Sequence, residues 1–357
     1  MDITSPRKLV EVGPEWSTTQ IVESLRQAVS GSGPALVFGP SPIASVAEDV
    51  AVVIPTSGST GNPKFVALTA EALLASANAA HAFLGAKVGE RWSLMLPPHH
   101  IAGVNVLVRS LQLQSPLIDS STLGRGDFEY TSVVPTQLFR ALNGDVALKA
   151  SLASAKAVLV GGAATDEKLL QQSRGAGINV VTTYGMSEMC GGCIYNNVPL
   201  PGVEVKIVDG GTIALRGVTQ AKEYLGSSVP LADNDGWFIT SDAGYSEDGR
   251  LYVTGRIDDQ IITGGEKLSL AAVDKFLTET FGFEFMSCAI THPEWGQSLC
   301  VATSGNVEIQ RVRDALCDHF GRFASPKQFL SAIDLPHTSI GKPDRLALSK
   351  RFEMMDQ

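Results

Sequence analysis

Between two short apolar segments, 51–55 and 65–68, the chain carries Thr56-Ser-Gly-Ser-Thr-Gly-Asn-Pro-Lys64. Both flanks read as buried strands, which makes the intervening residues a strand-to-strand loop. Gly58 and Gly61 let the backbone approach an anion closely and aim its N–H groups inward. Thr56, Ser57, Ser59 and Thr60 add hydroxyl donors, and Lys64 adds a mobile positive charge. That combination points to a loop that holds a polyphosphate. It departs from the Walker pattern, in which four residues separate Gly from a Gly-Lys that is followed by Ser or Thr. Here Gly58-Ser-Thr-Gly61 is tighter and Lys64 follows a proline. A flexible Gly/Ser turn is the competing reading; the lysine and the flanking strands weigh against it.

The strand and helix signals around this loop alternate. Residues 69–84 are Ala-rich with Thr69 as N-cap and read as a helix, 92–96 as a strand, and 101–113 as an apolar helix. Residues 132–134, 157–160 and 179–183 read as further buried strands. Such alternation implies a mainly parallel α/β core. From Val203 onward the texture changes to two hairpins, 204–215 turning at Asp209-Gly-Gly211 and 237–254 turning at Glu247-Asp-Gly249. After Gly255-Arg-Ile-Asp-Asp259 a small unit begins, with helices near 270–281 and 307–323 and strands near 286–291 and 299–303. The fold class is therefore α/β: a large N-terminal domain, 1–255, with a mainly parallel α/β core plus a β-rich section, and a small C-terminal α+β domain, 256–357.

Composition narrows the function classes. A chain of 357 residues can bury a large core in two or more domains. With 44% hydrophobic and 18% charged residues it is globular rather than disordered. A net charge of −9 argues against a nucleic-acid surface. No 18-residue apolar stretch is free of charge, so no membrane span is expected. Met1-Asp-Ile-Thr-Ser5 lacks a basic, apolar leader, and five cysteines show no disulfide framework; both fit the cytoplasm. Cys190-Gly-Gly-Cys193 lacks a second ligand pair and reads as two small core or loop thiols rather than a zinc site.

Further segments share the chemistry of the first loop. Tyr184-Gly-Met-Ser-Glu188 follows a strand, where open α/β sheets place ligands. Thr240-Ser-Asp242, Gly255-Arg-Ile-Asp-Asp-Gln260, Ile262-Thr-Gly-Gly-Glu266 and Ser339-Ile-Gly-Lys-Pro-Asp-Arg345 add carboxylates, an arginine, a glycine loop and a lysine. Each alone has a bland reading as a turn, cap or solvated charge. Together and in this order, from about Val52 to Arg345, they resemble the adenylate-forming superfamily of acyl-CoA synthetases, luciferases and adenylation domains.

The resemblance implies a role for each residue. The loop of Thr56, Ser57, Gly58, Ser59, Thr60, Gly61 and Lys64 would hold the β- and γ-phosphates of ATP. Gly161, Gly162, Ala163 and Tyr184 would line the adenine, with Gly185 and Met186 beside them. Ser187 would touch the α-phosphate and Glu188 would hold Mg²⁺. Asp242 would accept from the ribose hydroxyls, helped by Arg256. Lys342 would reach the oxygens between the acid and the α-phosphate. Asp258 would be the hinge of a mobile C-terminal domain, and Gly264 and Gly265 would approach the site for the CoA step. His100, or its neighbour His99, would lie by the acyl pocket; a purely structural histidine is the alternative. The chain departs from the superfamily in a trimmed region before the phosphate loop, in Leu270 where Pro is common, in Asp274 where Glu is common, and in Ser187 for Thr.

The acid is narrowed by Arg109. In 101–113 it shares a helical face with Asn105, and a buried arginine needs a partner. That partner is either a protein carboxylate or a substrate carboxylate gripped by the guanidinium. The pattern His100-Ile-Ala-Gly103 with Arg six residues on resembles the o-succinylbenzoate–CoA ligases of menaquinone synthesis, whose substrate carries two carboxylates. The expected partners are thus a small-molecule carboxylic acid, ATP and CoA, with a homodimer left open. Two other readings compete: a stand-alone adenylation enzyme loading a carrier-protein thiol, and a non-catalytic nucleotide-binding relative. Retention of Lys64, Glu188, Asp242, Arg256 and Lys342 weighs against the last.

Overall fold

Ser17 starts the first helix by a reciprocal cap: its hydroxyl accepts from the Gln20 N–H, and its own N–H donates to the Gln20 side chain at 2.8 Å. The helix Thr18–Ser30 buries Ile21, Leu25 and Ala28 along one stripe and ends at Gly31, whose φ of 76° is left-handed. Arg7 stitches this region together by donating to the carbonyls of Ala28, Gly33 and Val50. The structure is a computed structural model that describes residues 6–57, 63–119, 128–257, 259–263, 266–292, 296–337 and 343–355.

The chain divides into two units. The first comprises Met1–Lys206, Ala214–Ile239 and Ser246–Tyr252. It contains a six-stranded sheet in the order Glu223–Leu225, Pro63–Thr69, Val50–Ser57, Ala35–Val37, Arg7–Glu11, Ser45–Val46. It also contains a seven-stranded sheet in the order Val198–Pro199, Gly191–Tyr195, Val180–Met186, Ala157–Val160, Tyr130–Val133, Trp92–Leu94, Ile118–Asp119. Five strands of the second sheet, from Val180–Met186 to Ile118–Asp119, run parallel. The parallel α/β expectation therefore holds. The helix Ala70–Leu84 starts at Thr69, whose hydroxyl accepts from the Ala72 N–H at 3.0 Å, as the sequence predicts. The strand expected over 92–96 is shorter, Trp92–Leu94, because Pro97 and Pro98 cannot donate to a ladder.

A four-stranded sheet follows the order Val203–Val208, Thr212–Gly217, Phe238–Glu247, Arg250–Arg256, which contains both expected hairpins. The second unit comprises Ile207–Ile213, Thr240–Tyr245 and Val253–Gln357. Its sheet is built on the antiparallel pair Phe285–His292 and Gly296–Thr303, with Gln328–Leu330 added in parallel. The helices Leu270–Phe281 and Ile309–Phe320 bury Val273, Leu277, Val312 and Leu316 with Phe285, Leu299 and Val301. The helix expected over 307–323 is trimmed at Gly321, whose φ of 106° breaks it before a short 3₁₀ turn, Arg322–Ala324.

In the first unit the helix Ile101–Gln112 buries every residue from Gly103 to Ser110. Asn105 donates to the Cys190 carbonyl at 2.6 Å, and Ser76 donates to the same oxygen at 3.2 Å. Gly191, next along, has φ of 87°, and a Cβ there would lie 2.3 Å from the Asn105 amide nitrogen. Both the backbone conformation and the space demand glycine. Gly191→Ala is expected to lower stability by roughly 2–4 kcal/mol, from overpacking added to left-handed strain, read as a shift in the urea midpoint at unchanged slope.

Candidate active site

The strands Trp92–Leu94, Ala157–Val160 and Val180–Met186 release their chains at the carboxyl edge of the parallel sheet, where such sheets bind ligands. Residues 97–100 follow the first and Gly161, Gly162 and Ala163 the second; Tyr184 to Glu188 end the third. Gly161 donates to the Val133 carbonyl at 3.3 Å, and a Cβ on it would lie 2.2 Å from Thr183 Oγ1. Only glycine lets these strand ends approach so closely. Tyr184 is half-buried and pairs with Ile194, while Gly185 pairs with Gly192 across a register shift between Tyr184 and Gly185. Such a bulge re-aims the residues beyond it. Met186 closes the strand, and Ser187 and Glu188 lie in the 3₁₀ turn Ser187–Met189.

The candidate phosphate loop joins Val50–Ser57 to Pro63–Thr69, which pair antiparallel, Thr56 opposite Lys64 and Ser57 opposite Pro63. Thr56 Oγ1 donates to the Lys64 carbonyl at 3.3 Å. Gly58, Ser59, Thr60 and Gly61 lie outside the described residues. The Lys64 ammonium sits over the ring of Tyr224, 5.0 Å from its centroid. The Tyr224 hydroxyl donates to Glu188 Oε1 at 2.8 Å. Tyr224 thus joins two predicted residues without having been predicted. A lone tyrosine between Glu223 and Leu225 carries no signal of its own. Only the pairing of Glu223–Leu225 with Pro63–Thr69 brings it there. Among the described residues no three His, Cys, Asp or Glu side chains cluster as metal ligands.

Arg109 is 3% exposed. Its guanidinium donates to the Tyr195 hydroxyl at 2.9 Å and lies 5.0 Å from the Trp92 ring centroid. The sequence left two partners open, a protein carboxylate or a substrate one. Among the described residues no carboxylate pairs with Arg109; a phenol and an indole flank it instead. Arg109 Nε, Trp92 Nε1 and His81 Nε2 are buried without a hydrogen-bond partner among the described residues. The His81 and Trp92 rings are 6.2 Å apart. Sequence reading missed Trp92, Tyr195 and His81, because their meeting with Arg109 is a long-range event. His100 is the N-cap residue of Ile101–Gln112, and its ring lies 4.5 Å from that of His99.

In the second unit Asp242 and Arg256 form an ion pair at 3.7 Å, Asp242 the more buried. Arg345 donates to Asp274 at 2.7 Å, to Asp259 at 3.3 Å and to the Ser287 carbonyl at 2.6 Å. Lys342, Asp258, Gly264 and Gly265 lie outside the described residues.

A sequence model of the AMP-binding enzyme family matches residues 8–225. The chain is 38% identical to a probable 2-succinylbenzoate–CoA ligase of Mycobacterium tuberculosis, over 94% of this chain and 96% of that protein. It is 31% identical to the 2-succinylbenzoate–CoA ligase of Escherichia coli, over 77% of this chain and 63% of that one. Among solved structures, wild-type E. coli MenE with a bound analogue of OSB-AMS superposes with a TM-score of 0.72 at 25% identity, covering 96% of this chain and 82% of that chain.

Burial, and secondarily Arg109, lowers the His81 pKa to about 4, so the folded protein holds a neutral imidazole. The unfolded chain titrates near 6.5, so between those values it binds more protons and acid costs stability. The stability advantage of the parent over His81→Leu is expected to shrink by about 2 kcal/mol from pH 7 to pH 4.5, read from paired urea midpoints. A pH-independent difference would refute the buried neutral state.

Proposed function

Because the chain belongs to the AMP-binding enzyme family, we propose that it converts o-succinylbenzoate to o-succinylbenzoyl-CoA through an acyl-adenylate, at the expense of ATP. In the first step a carboxylate oxygen attacks the α-phosphorus of ATP; the new P–O bond forms as the bond to the bridging oxygen breaks, and pyrophosphate leaves. In the second the CoA thiol, losing its proton, attacks the acyl carbon and AMP leaves. A free carboxylate offers no good leaving group, and the adenylate supplies one. Two anions meet in the first step, so cationic groups belong where charge builds up. Positioning supplies most of the remainder.

The site residues divide that work. The loop from Thr56 to Lys64 holds the β- and γ-phosphates, Gly161, Gly162, Ala163 and Tyr184 line the adenine, and Ser187 reaches the α-phosphate. Asp242 accepts from the ribose, with Arg256 beside it. Lys342 serves the adenylation step. Asp258 is the hinge between domains 1–255 and 256–357, and Gly264 and Gly265 serve the thiol step. Glu188, a carboxylate held by the Tyr224 hydroxyl at 2.8 Å, offers the oxygen donor that Mg²⁺ favours and would hold that ion beside the phosphates. When bound, that ion neutralises phosphate charge.

The observation that carries the choice of acid is Arg109, a buried guanidinium with no carboxylate partner among the described residues. It receives the carboxylate that is not activated, and His100 lines the same pocket. Supporting the reading are the succinylbenzoate ligases to which the chain is similar. Arg109→Ala is expected to weaken the dicarboxylate by about 2–5 kcal/mol, seen as a raised KM, while ATP affinity holds. An unchanged KM returns Arg109 to a structural role. Lys342→Ala should abolish pyrophosphate release yet still form thioester from supplied adenylate; survival of both half-reactions would refute its assignment. A pyrophosphate-release screen over aromatic and aliphatic acids, with and without CoA, tests the whole reading: release only with o-succinylbenzoate, and thioester only with CoA, is the expected result.

A further inference from the structure

We propose that Tyr224 is the positioning residue of the phosphate and metal end of the nucleotide site: its hydroxyl fixes the Glu188 carboxylate for Mg²⁺ while its ring seats the Lys64 ammonium. This rests on the reading above, in which Glu188 holds the metal and Lys64 the terminal phosphates.

Three separate contacts place the ring. Its strand Glu223–Leu225 pairs antiparallel with Pro63–Thr69, Tyr224 opposite Val66, so it lies on the same sheet edge that delivers Lys64. Ala221 donates to the Glu188 carbonyl at 2.8 Å, which ties the segment carrying Tyr224 to the turn carrying Glu188. Lys222 locks the strand end through its N–H to the Ala67 carbonyl at 2.9 Å and its ammonium to Asp49 at 2.6 Å. The ring is consequently held from both sides before any ligand arrives.

The chemistry suits a supporting role. A carboxylate offers about four lone-pair sites, so one hydroxyl on Oε1 leaves capacity for a cation. Carboxylates that ligate metals are themselves ordinarily held by hydrogen bonds, and losing that support costs about 10–100-fold in affinity or activity. The Tyr224 hydroxyl, donating to Glu188 Oε1 at 2.8 Å, leaves the other carboxylate oxygen uncommitted to it. The Lys64 ammonium at 5.0 Å from the ring centroid is within cation–π range. A lysine so seated keeps a defined position, and a phosphate can draw it away at small cost.

The test is the affinity of ATP, measured by calorimetry in MgCl₂ and separately in EDTA, for the parent, Tyr224→Phe, Tyr224→Leu and Glu188→Gln. Urea midpoints confirm that each variant is folded. Tyr224→Phe keeps the ring and loses only the hydroxyl. It is expected to weaken ATP about tenfold in magnesium and to leave the EDTA value unchanged. Tyr224→Leu, which also loses the ring, should in addition weaken ATP about 2–5-fold in EDTA. Equal weakening of Tyr224→Phe in both media, or none in magnesium while Glu188→Gln loses its magnesium dependence, overturns the inference alone. If Glu188→Gln retains the parent's magnesium dependence, the metal assignment fails and the inference falls with it.

Discussion

The first unit is organised by one docking event, the helix Ile101–Gln112 against the strand Gly191–Tyr195. Two side chains one turn apart make it polar as well as apolar. Asn105 takes the Cys190 carbonyl, and Arg109 takes the Tyr195 hydroxyl. The first bond satisfies a buried backbone acceptor beside a left-handed residue, Cys190 at φ 53°, where no ladder could reach it. Because Cys190 directly follows the turn Ser187–Met189, whatever fixes its carbonyl also fixes the direction in which Ser187 and Glu188 leave the sheet. Arg109 and the turn carrying Ser187 and Glu188 are thereby referenced to a single helix, so displacing that helix would disturb both together.

Much of this was legible because the signals are local. Thr69 followed by an Ala-rich run marks a helix start, and the structure has that helix, Ala70–Leu84. The strands at 157–160 and 179–183 announced themselves as short apolar or β-branched runs, and the structure has them as Ala157–Val160 and Val180–Met186. The opening strands escaped because Ala35–Val37 and Ser45–Val46 are too short for any period to show. The Ser17 and Gln20 capping box was the available sign of the first helix. What could not be read was pairing at a distance. Arg109 announced that it needed a partner but not which one, since Tyr195 lies 86 residues away. Tyr224 was invisible for the same reason.

The second unit has its own electrostatic fastener. Arg345 spans Asp259, near the start of the unit's sheet, and Asp274 on the helix Leu270–Phe281. Burial pushes the Asp274 carboxyl upward while Arg345 and the Ser287 N–H pull it back. Buried pairs of this kind add little net stability, since desolvation offsets the attraction, but losing one member strands a charge. Their contribution is to geometry: Arg345, at the start of the helix Arg345–Glu353, ties Asp259 to the helix Leu270–Phe281.

One earlier detail acquires a meaning from the proposed chemistry. Cys190 and Cys193 flank the two glycines that pair with the strand Val180–Met186, and both are wholly buried, with burial driving their thiols away from ionisation. A mixed anhydride of carboxylic and phosphoric acid is an acylating agent toward any thiolate that can touch it. Held protonated and fully buried, these two sulfurs are poor rivals to an arriving CoA thiol. The same packing thus spares the protein from labelling itself with the intermediate of the proposed reaction.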